Sequence, residues 1–525
     1  MFSLRLCCLL PLVLLLPSLL DGARILAIFP FPGPSQYINV LPYLKGLAAR
    51  GHEVTSVNAF PQNKPVKNFR DIVVPEVFQS YEEILISSIE ANRNLWQENT
   101  MANDFCISIT KKVFENGKVQ RELLQPGKAQ YDLVIVETLR TDALYGFAAH
   151  FNAPIIGLST FGTDWNVDEL VGNTSPISYT PLVTAGLSDR MTYWERVRNF
   201  VETSIAWLNW KLMYMPVQKQ LYEQYFPHVA QKKPLVELSK NFSLILLNQH
   251  FSLSFPRPYV PNMIEVGGLH ISHTPAPLPK EIEEFVQGAG SAGVIYFSLG
   301  SNIRSKDLPQ ERKQMLLQAF ASLPQRVLWK FEDDQLPNKP ANVFLSKWFP
   351  QPDVLAHPNV KLFITHGGLL STIESIHHGK PVLGLPFFYD QFLNVERAKR
   401  AGFGLGLDHK EMTGTEFKQT IERLINDPKF STTAQLMSAR YRDQPMSPQE
   451  TAIWWTEYVL RHKGASHMRV AAQDLSFLAY YSLDVFGMLL GVGILILVTI
   501  CFVLWKLLCI LRGQRVSGTD KLKHH

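Results

Sequence analysis

The chain of 525 residues has few cysteines, and their positions exclude an internal disulfide in its folded body. Cys7 and Cys8 lie in an apolar leader, and Cys501 and Cys509 lie in or beside a second apolar run near the end. Cys106 therefore has no partner in the body. We expect side-chain packing, and not a disulfide framework, to hold the fold together.

Charge is also scarce, because charged residues make up 18% of the chain and the net charge is +5. The tail from Lys506 holds five bases and one acid, and Arg5 offsets Asp21, so the body carries a charge of about +1. The sequence has no basic patch of the kind that binds nucleic acid, so we expect no nucleic-acid partner. No GxGxxG follows a strand, no Walker sequence occurs and no Asp-x-Asp motif is present, so we expect neither NAD nor a bound metal cofactor.

Long apolar runs occur at both ends. The first is short, is interrupted by prolines and precedes Gly22 and Ala23, which predicts a signal peptide over 1–23. The second, "VFGMLLGVGILILVTICFVLW", holds no charge and at about 1.5 Å per residue is long enough to cross a bilayer. We predict a membrane helix over 481–507. The bases that follow it predict a cytosolic tail over 508–525 and a lumenal or extracellular body.

The final "KLKHH" places Lys521 and Lys523 where the dilysine retrieval signal of endoplasmic-reticulum membrane proteins has its lysines. An ordinary basic tail is the alternative. Asn173 and Asn241 begin Asn-x-Ser/Thr triplets and are predicted glycan acceptors.

Between the two ends, short buried strands alternate with helical segments, which predicts parallel sheets with helices on both faces. A proline-dense stretch interrupts the pattern, so we predict one α/β domain over 24–265, a linker over 266–280 and a second α/β domain over 281–440. C-terminal helices and a juxtamembrane segment are predicted over 441–480, where Trp454 and Trp455 are expected to seal one domain against the other. Residues 160–240 are predicted to form an apolar substrate region, with ordinary helix packing as the alternative.

The most informative stretch is "FITHGGLLSTIESIHHGKPVLGLPFFYDQ" (363–391). A strand delivers His366, Gly367 and Gly368 to the carboxyl edge of a sheet, and the helix that follows offers free N–H groups to a phosphate. Ser371 falls in the first helical turn. The stretch closes on Asp390 and Gln391, which look exposed. By itself an "HGG" loop is a weak signal.

The whole spacing is more specific. The run F-I-T-H-G-G with Ser371, Glu374, Pro381, Pro386, Asp390 and Gln391 resembles the signature of the UDP-glycosyltransferase family, in its membrane-bound animal form that includes the UDP-glucuronosyltransferases. The segments "PNMIEVGG", "VIYFSLGS" and "WFPQPDVLAHP" extend the resemblance across the chain, and "HGGLLSTIESIHHGKP" is most similar to arthropod members. The resemblance implies a GT-B fold, in which two Rossmann-like domains face a cleft.

The resemblance also implies roles for the donor UDP-sugar, which is a co-substrate. Trp348 would stack on uracil, Gln351 would bond its edge, and Glu374 would accept from the ribose hydroxyls. The phosphates would be held by Ser301, His366, Ser371 and the backbone of Gly367 and Gly368. Asp390 and Gln391 would hold the sugar hydroxyls. Leu370 replaces an Asn found in many relatives, which puts one phosphate contact in doubt.

The catalytic base is the main departure. Relatives usually place a His in the loop after the first strand, supported by an acid at the end of a later strand. Gln36 stands at the position of that His, and an amide cannot accept a proton at neutral pH; the acid corresponds to Glu137. Glu137 acting alone, a more nucleophilic acceptor, and loss of catalysis all remain open. We do not expect His52 to replace it, since His52 opens a strand at the opposite edge of the sheet.

These features predict inverting transfer of a hexosyl group, glucose or glucuronate, from a UDP-sugar to small lipophilic acceptors, as in detoxification or hormone or pigment conjugation. The chain is expected to be a single-pass protein of the endoplasmic-reticulum membrane that can act alone or in an oligomer. One alternative is a weak or inactive UDP-sugar-binding partner of an active relative, and another is a single-span receptor. Arg257 is a possible cation for a glucuronate carboxylate, or a cap of the linker.

Overall fold

The computed structural model describes residues 22–79, 81, 94–272 and 274–520, with side chains as far as 512. The predicted signal peptide, apart from its last two residues, lies outside the described residues, and so do Lys521 and Lys523. The described chain divides into two compact units between residues 469 and 470. The first unit contains both sheets.

The first sheet has seven parallel strands in the order β3-β2-β1-β4-β5-β6-β7. Its strands are β1 Arg24–Phe29, β2 Glu53–Asn58, β3 Phe69–Val73, β4 Leu133–Glu137, β5 Ile155–Ser159, β6 Phe242–Leu247 and β7 Met263–Glu265. Along β1, Leu26 and Ile28 pack into the core on one face, while Ile25 and Ala27 pack into the core on the other. Both faces are therefore covered, as a parallel sheet requires.

The second sheet has six parallel strands in the order β10-β9-β8-β11-β12-β13. Its strands are β8 Val294–Ser298, β9 Arg326–Lys330, β10 Val343–Ser346, β11 Val360–Thr365, β12 Val382–Gly384 and β13 Gly404–Gly406. In both sheets the strand order reverses next to the first strand of the domain, between β1 and β4 and between β8 and β11. Ligands of open α/β sheets bind in the crevice at such a point.

Eleven of the described helices are longer than eight residues. They are α1 Pro34–Ala49, α2 Leu95–Glu115, α3 Tyr193–Asn209, α4 Met215–Tyr225, α5 Gln310–Ala321, α6 Leu369–His377, α7 Gln391–Ala401, α8 Gly414–Asn426, α9 Pro428–Arg442, α10 Pro448–His462 and α11 Leu483–Asp520. The shorter α-helices are Gly117–Val119, Gly146–His150, Trp165–Val171, Pro227–Ala230, Leu235–Leu238, Lys280–Gln287, Gln351–Ala356 and Phe477–Tyr480. The two sheets with helices on both faces confirm the predicted α/β fold class.

Helix α10 returns from the second sheet to pack on the first. Its Ala452 and Val459 are buried in the same core as Tyr43 of α1, and the Tyr43 hydroxyl lies 2.6 Å from Thr456 Oγ1. Trp455 packs against this core, but Trp454 is 42% exposed. The expected packing of the two tryptophans is therefore met by Trp455 but not by Trp454. The buried contacts of α10 with the first domain are made by Thr456 and its neighbours.

Helix α11 belongs to the second unit. Its apolar part, Leu483–Arg512, spans 30 residues and is long and apolar enough to cross a membrane. The helix begins two residues after the predicted start of the span and continues to Asp520, beyond the predicted end at 507. The bases after the span do not stop a helix, because Lys and Arg have high helix propensity.

Candidate active site

The loop after β11 carries His366 at the crevice of the second sheet. His366 is buried, and burial lowers the pKa of its imidazole to about 4, so the ring is neutral at physiological pH. Its ring lies between Gly300 of the loop after β8 and Gly368, where a Cβ would come within 2.4 and 2.5 Å of ring atoms. Both loops need glycine at these positions because the ring occupies the space of a side chain.

Helix α6 begins directly behind this loop. Gly368 is its N-cap and no side chain caps it, so its first N–H groups point into the crevice. Gly367 has a φ of +83°, a conformation that glycine adopts without strain. Ser301, after β8, is partly exposed and donates to Asn302 Oδ1 at 3.3 Å. Donors from two adjacent strand ends therefore converge where an anion would rest.

Glu374, on the next turn of α6, is linked to other predicted donor-site residues. Gln351 Nε2 donates to Glu374 Oε2 at 2.5 Å and to Ser371 Oγ at 3.0 Å. Tyr296 of β8 donates to Gln351 Oε1 at 3.2 Å, which fixes the orientation of the amide. A buried carboxylate held in this way has lone pairs left for a diol.

Trp348 stands at the rim of the same crevice. Its side chain is 60% exposed, so it is not a core residue, and Lys330 Nζ lies 5.9 Å from the ring centroid. An exposed flat ring beside a cation is a surface on which a base can stack.

Asp390 and Gln391 are buried, and their expected exposure is wrong. Asn394 Nδ2 donates to Asp390 Oδ2 at 2.8 Å, and burial raises the pKa of Asp390 to about 6. Gln391 Oε1 accepts from the backbone N–H groups of Phe387 and Phe388 at 2.8 and 3.1 Å. Both side chains lie at the start of α7, and their polar groups are held by the chain that surrounds them.

The predicted acceptor side corresponds to the crevice of the first sheet, where Glu137 ends β4. Glu137 is 3% exposed, and burial raises the pKa of its carboxyl to about 7 although Thr160 and the Phe31 backbone donate hydrogen bonds to it. Thr160 Oγ1 lies 3.0 Å from Glu137 Oε1. This carboxyl can therefore exchange a proton near neutral pH.

Gln36 lies in the first turn of α1, behind the loop after β1. It is 5% exposed, and its Oε1 accepts from Ser35 Oγ at 2.9 Å. β1 and β4 are neighbours in the sheet, so Gln36 and Glu137 belong to the same edge. No hydrogen bond joins the two side chains in the part of the chain that the structure describes.

Two residues of this region were not predicted from the sequence. Gly300 follows β8 just as Gly367 follows β11, and the "SLGS" segment carries that signal. His270 follows β7 in "VGGLH" and lies against Glu374, with His270 Nε2 3.0 Å from Glu374 Oε1. The Gly-Gly-His run after a short strand was the available signal, but β7 itself was not predicted.

The two predicted glycan acceptors differ. Asn241 is exposed. Asn173 is buried, and its Nδ2 donates to Asp168, Thr174 and Pro258 at 2.8, 3.3 and 3.1 Å. A glycan on Asn173 would require those hydrogen bonds to be lost.

The described residues contain no group of three or more His, Cys, Asp or Glu side chains placed to hold a metal ion.

The chain was then compared with known proteins. Residues 33–519 match the family model described as UDP-glucoronosyl and UDP-glucosyl transferase. UDP-glycosyltransferase UGT5 of Dactylopius coccus is 38% identical over 95% of this chain and 96% of its own. UDP-glucuronosyltransferase 2B10 of Homo sapiens is 33% identical over 90% of this chain and 92% of its own.

Solved structures share the fold at low identity. The glycosyltransferase VinC in complex with dTDP has a TM-score of 0.55 at 18% identity, covering 84% of this chain and 100% of its own. A UDP-glucose: anthocyanidin 3-O-glucosyltransferase in complex with UDP has a TM-score of 0.54 at 15% identity, with the same coverage. These neighbours and the two parallel sheets confirm the GT-B fold. The chain belongs to the UDP-glycosyltransferase family and is an enzyme that transfers a hexosyl group from a UDP-sugar.

Proposed function

We propose that this enzyme transfers glucose from UDP-glucose to small lipophilic acceptors, with inversion at the anomeric carbon. UDP occupies the crevice between β8 and β11, and the acceptor enters beside Glu137. The observation that carries the proposal is the grouping of Trp348, Gln351 and Glu374 beside the start of α6. A flat exposed ring, an amide and a carboxylate match a base, its edge and a ribose diol in turn.

The choice of glucose over glucuronate follows from the surroundings of Arg257. Its guanidinium is paired with the buried Asp168 and also donates to Ser175 Oγ at 3.0 Å. The Arg257 side chain is 7% exposed. A cation that already has a buried carboxylate partner gains little from a second one. Arg257 is therefore expected to bind a sugar carboxylate only weakly. A neutral glucosyl group needs no such cation.

The preference for lipophilic acceptors rests on the aromatic side chains around the loop after β1. Phe31 contacts Phe105 edge to face at 5.5 Å and Tyr81 at 6.1 Å between ring centroids. The Phe31 backbone also donates to Glu137. An acceptor that reaches the carboxyl therefore passes an apolar, aromatic wall.

The transfer step is a displacement at the anomeric carbon. The acceptor oxygen forms a bond to that carbon while the bond from the carbon to the UDP oxygen breaks. Glu137 takes the acceptor proton, and its raised pKa makes it a stronger base than an ordinary carboxylate. The N-terminus of α6 and the neutral His366 donate to the departing diphosphate.

A second function is favoured by Gln36. Without a His at this position the base is incomplete, and general-base catalysis is worth roughly 10²–10⁴-fold in rate. A chain that binds UDP-glucose and transfers it slowly would serve as the partner of an active relative.

A donor-by-acceptor activity matrix tests the first function against the second. UDP-glucose and UDP-glucuronate are each offered with phenols, alcohols and amines, and UDP binding is measured by calorimetry. We expect UDP-glucose turnover with phenols and a UDP affinity that falls at least about tenfold in Glu374→Gln. UDP binding without turnover on any acceptor would support the partner role. Unchanged UDP affinity in Glu374→Gln would refute the proposed donor site.

We also propose that the enzyme is anchored in the endoplasmic-reticulum membrane with its catalytic body in the lumen. The apolar helix Leu483–Arg512 and the excess of basic residues after it support this orientation.

A further inference from the structure

His270 lies between the two α/β domains, in the segment that joins them. Its side chain is 3% exposed. The Nε2 atom lies 3.0 Å from Glu374 Oε1, and the Nδ1 atom lies 3.3 Å from Asn39 Oδ1. One imidazole therefore connects α6 of the donor-binding domain with α1 of the acceptor-binding domain.

The protonation of this ring follows from its neighbours. Asn39 is fully buried, and its Nδ2 has no hydrogen-bond partner. An amide turned by 180° would donate from Nδ2 to His270 Nδ1, and a neutral imidazole would then donate from Nε2 to the carboxylate. In this arrangement Nε2–H donates to Glu374.

The two oxygens of Glu374 are thus held from two different parts of the chain. Gln351 donates to Oε2 from the second domain, while His270 donates to Oε1 from the connecting segment. Two donors fix the plane of the carboxylate, so its remaining lone pairs have one direction. A ribose diol that uses those lone pairs needs this orientation, and disorder of the carboxylate would cost affinity.

His270 does not replace the missing base. Both of its ring nitrogens have a partner, and its side chain is buried, so no acceptor hydroxyl reaches it. Its effect on the reaction is exerted through Glu374 and Asn39.

We propose that His270 is a positioning residue that orients Glu374 for the donor ribose and ties it to α1. This inference rests on the proposed donor site. Asn39 is three residues after Gln36 and lies on the same face of α1, so the tie reaches the helix that carries the acceptor-side position. Donor binding and the position of α1 are therefore coupled through the His270 side chain.

Leucine and glutamine at position 270 separate positioning from packing. In His270→Leu we expect the KM for UDP-glucose and the Kd for UDP to rise at least about tenfold, because a hydrogen bond to a charged group is lost. In His270→Gln the amide nitrogen can donate to Glu374 and the oxygen can accept from Asn39, so both values should return to within about threefold of wild type. UDP affinity is measured by calorimetry and KM by initial rates.

The chain offers a matched control. His52 is also a buried imidazole beside a glutamate, with His52 Nε2 3.6 Å from Glu457 Oε1 and a side chain 3% exposed. It lies at the amino end of β2, away from the crevice. His52→Leu should lower thermal stability as His270→Leu does, while its UDP affinity stays at the wild-type value.

A third variant tests the tie to α1. If Asn39 acts through His270, then Asn39→Leu should weaken UDP binding by a smaller factor than His270→Leu, and the double variant should be no weaker than His270→Leu alone. Wild-type UDP affinity in a folded His270→Leu protein would overturn the inference, and so would additive effects of the two substitutions. If Glu374→Gln also left UDP affinity unchanged, the donor site itself would be refuted.

Discussion

In the proposed mechanism, two side chains at the carboxyl edge of the first sheet determine how the acceptor loses its proton. Glu137 is buried with a pKa of about 7, and Gln36 occupies the neighbouring position in a buried environment of its own. Burial of Glu137 provides a base near neutral pH, while the amide of Gln36 provides none. We therefore expect substitutions at these two positions to change the rate of transfer while the fold stays the same.

Gln36→His should raise the rate of transfer to simple alcohols at least about tenfold. The imidazole would supply the general base, and Glu137 at the adjacent strand end would orient it. Initial rates with UDP-glucose and a panel of alcohols give the measurement. Gln36→Met is the control, because it fills the same space without a basic atom, and an equal gain in that variant would contradict the explanation.

The rate of the wild-type enzyme should depend on the charge of Glu137. Because the base must be deprotonated, kcat is expected to rise with pH through about 7 and then to level off. Thr160→Val removes a hydrogen bond that favours the charged carboxylate, so the rise should move to higher pH.

Glu137→Gln checks the same assignment. It should lower kcat by roughly 10²–10⁴-fold and abolish the rise with pH. Glu265→Gln serves as a control, since Glu265 is another carboxyl at a strand end whose pKa is raised by burial. A pH profile that persists in Glu137→Gln would show that another group titrates.

At the scale of single elements, α10 is a clear case of a distant contact. Tyr43 of α1 donates to Thr456, which in turn donates to the Ala452 carbonyl at 2.7 Å. Arg50 also pairs with Glu457 through two hydrogen bonds of 2.9 and 2.8 Å. Helix α10 is thereby joined to the first domain by buried and by exposed contacts.

Tyr43→Phe should destabilise the protein by about 0.5–1.5 kcal/mol, since it removes one buried hydrogen bond and keeps the ring. The midpoint of thermal unfolding should fall while the KM for UDP-glucose stays unchanged. Arg50→Gln is the matched surface change, and its effect should be smaller because Arg50 is 60% exposed. A changed donor KM in Tyr43→Phe would mean that α10 also shapes the crevice.

Most of the strands were predictable from the sequence, because they are short apolar runs bounded by turn residues. β3 was missed because its burial is partial, with Arg70 exposed, so its sequence "FRDIV" lacks a clear apolar run. β7 has three residues, too few for a pattern. β6, "FSLILL", is fully buried and was predictable, but it follows the helical stretch before residue 240.

The residues proposed for the donor site were named by the family signature and not by periodicity. The structure groups Gln351, Ser371 and Glu374 within hydrogen-bond reach. His270 could not be placed, because its contacts join residues 231 and 104 positions apart. The burial of Asp390 could not be predicted either, since it depends on how a loop packs. Local sequence patterns carry no information about contacts between residues far apart in the chain.

At the scale of the whole molecule, the C-terminal helix predicts behaviour in the cell. The full chain should stay in the membrane pellet after carbonate extraction, because Leu483–Arg512 is long and apolar enough to cross a membrane. Replacing both Leu495 and Leu497 with Arg should move the protein to the supernatant. Leu478→Arg, before the span, should have no effect, and extraction of the wild-type chain would contradict the anchor.

A glycan on Asn241 would report both the orientation of the protein in the membrane and its retention in the endoplasmic reticulum. Asn241 should carry one in cells, so Asn241→Gln should remove a mobility shift produced by a general N-glycosidase. The glycan should remain sensitive to endoglycosidase H in the wild type. Substituting Ala for both Lys521 and Lys523 should make it resistant, because the protein would then reach the Golgi.

The polypeptide passes between the two sheets twice, once through the segment that holds His270 and again between Arg442 and Pro448. Two domains joined by a single connecting segment can rotate relative to each other about any axis. A second connecting segment beside the first removes most of that rotational freedom. The two crossings lie close together, because the Tyr441 hydroxyl donates to the Gly267 carbonyl at 2.6 Å. We therefore expect the two domains to rotate mainly about an axis through these crossings.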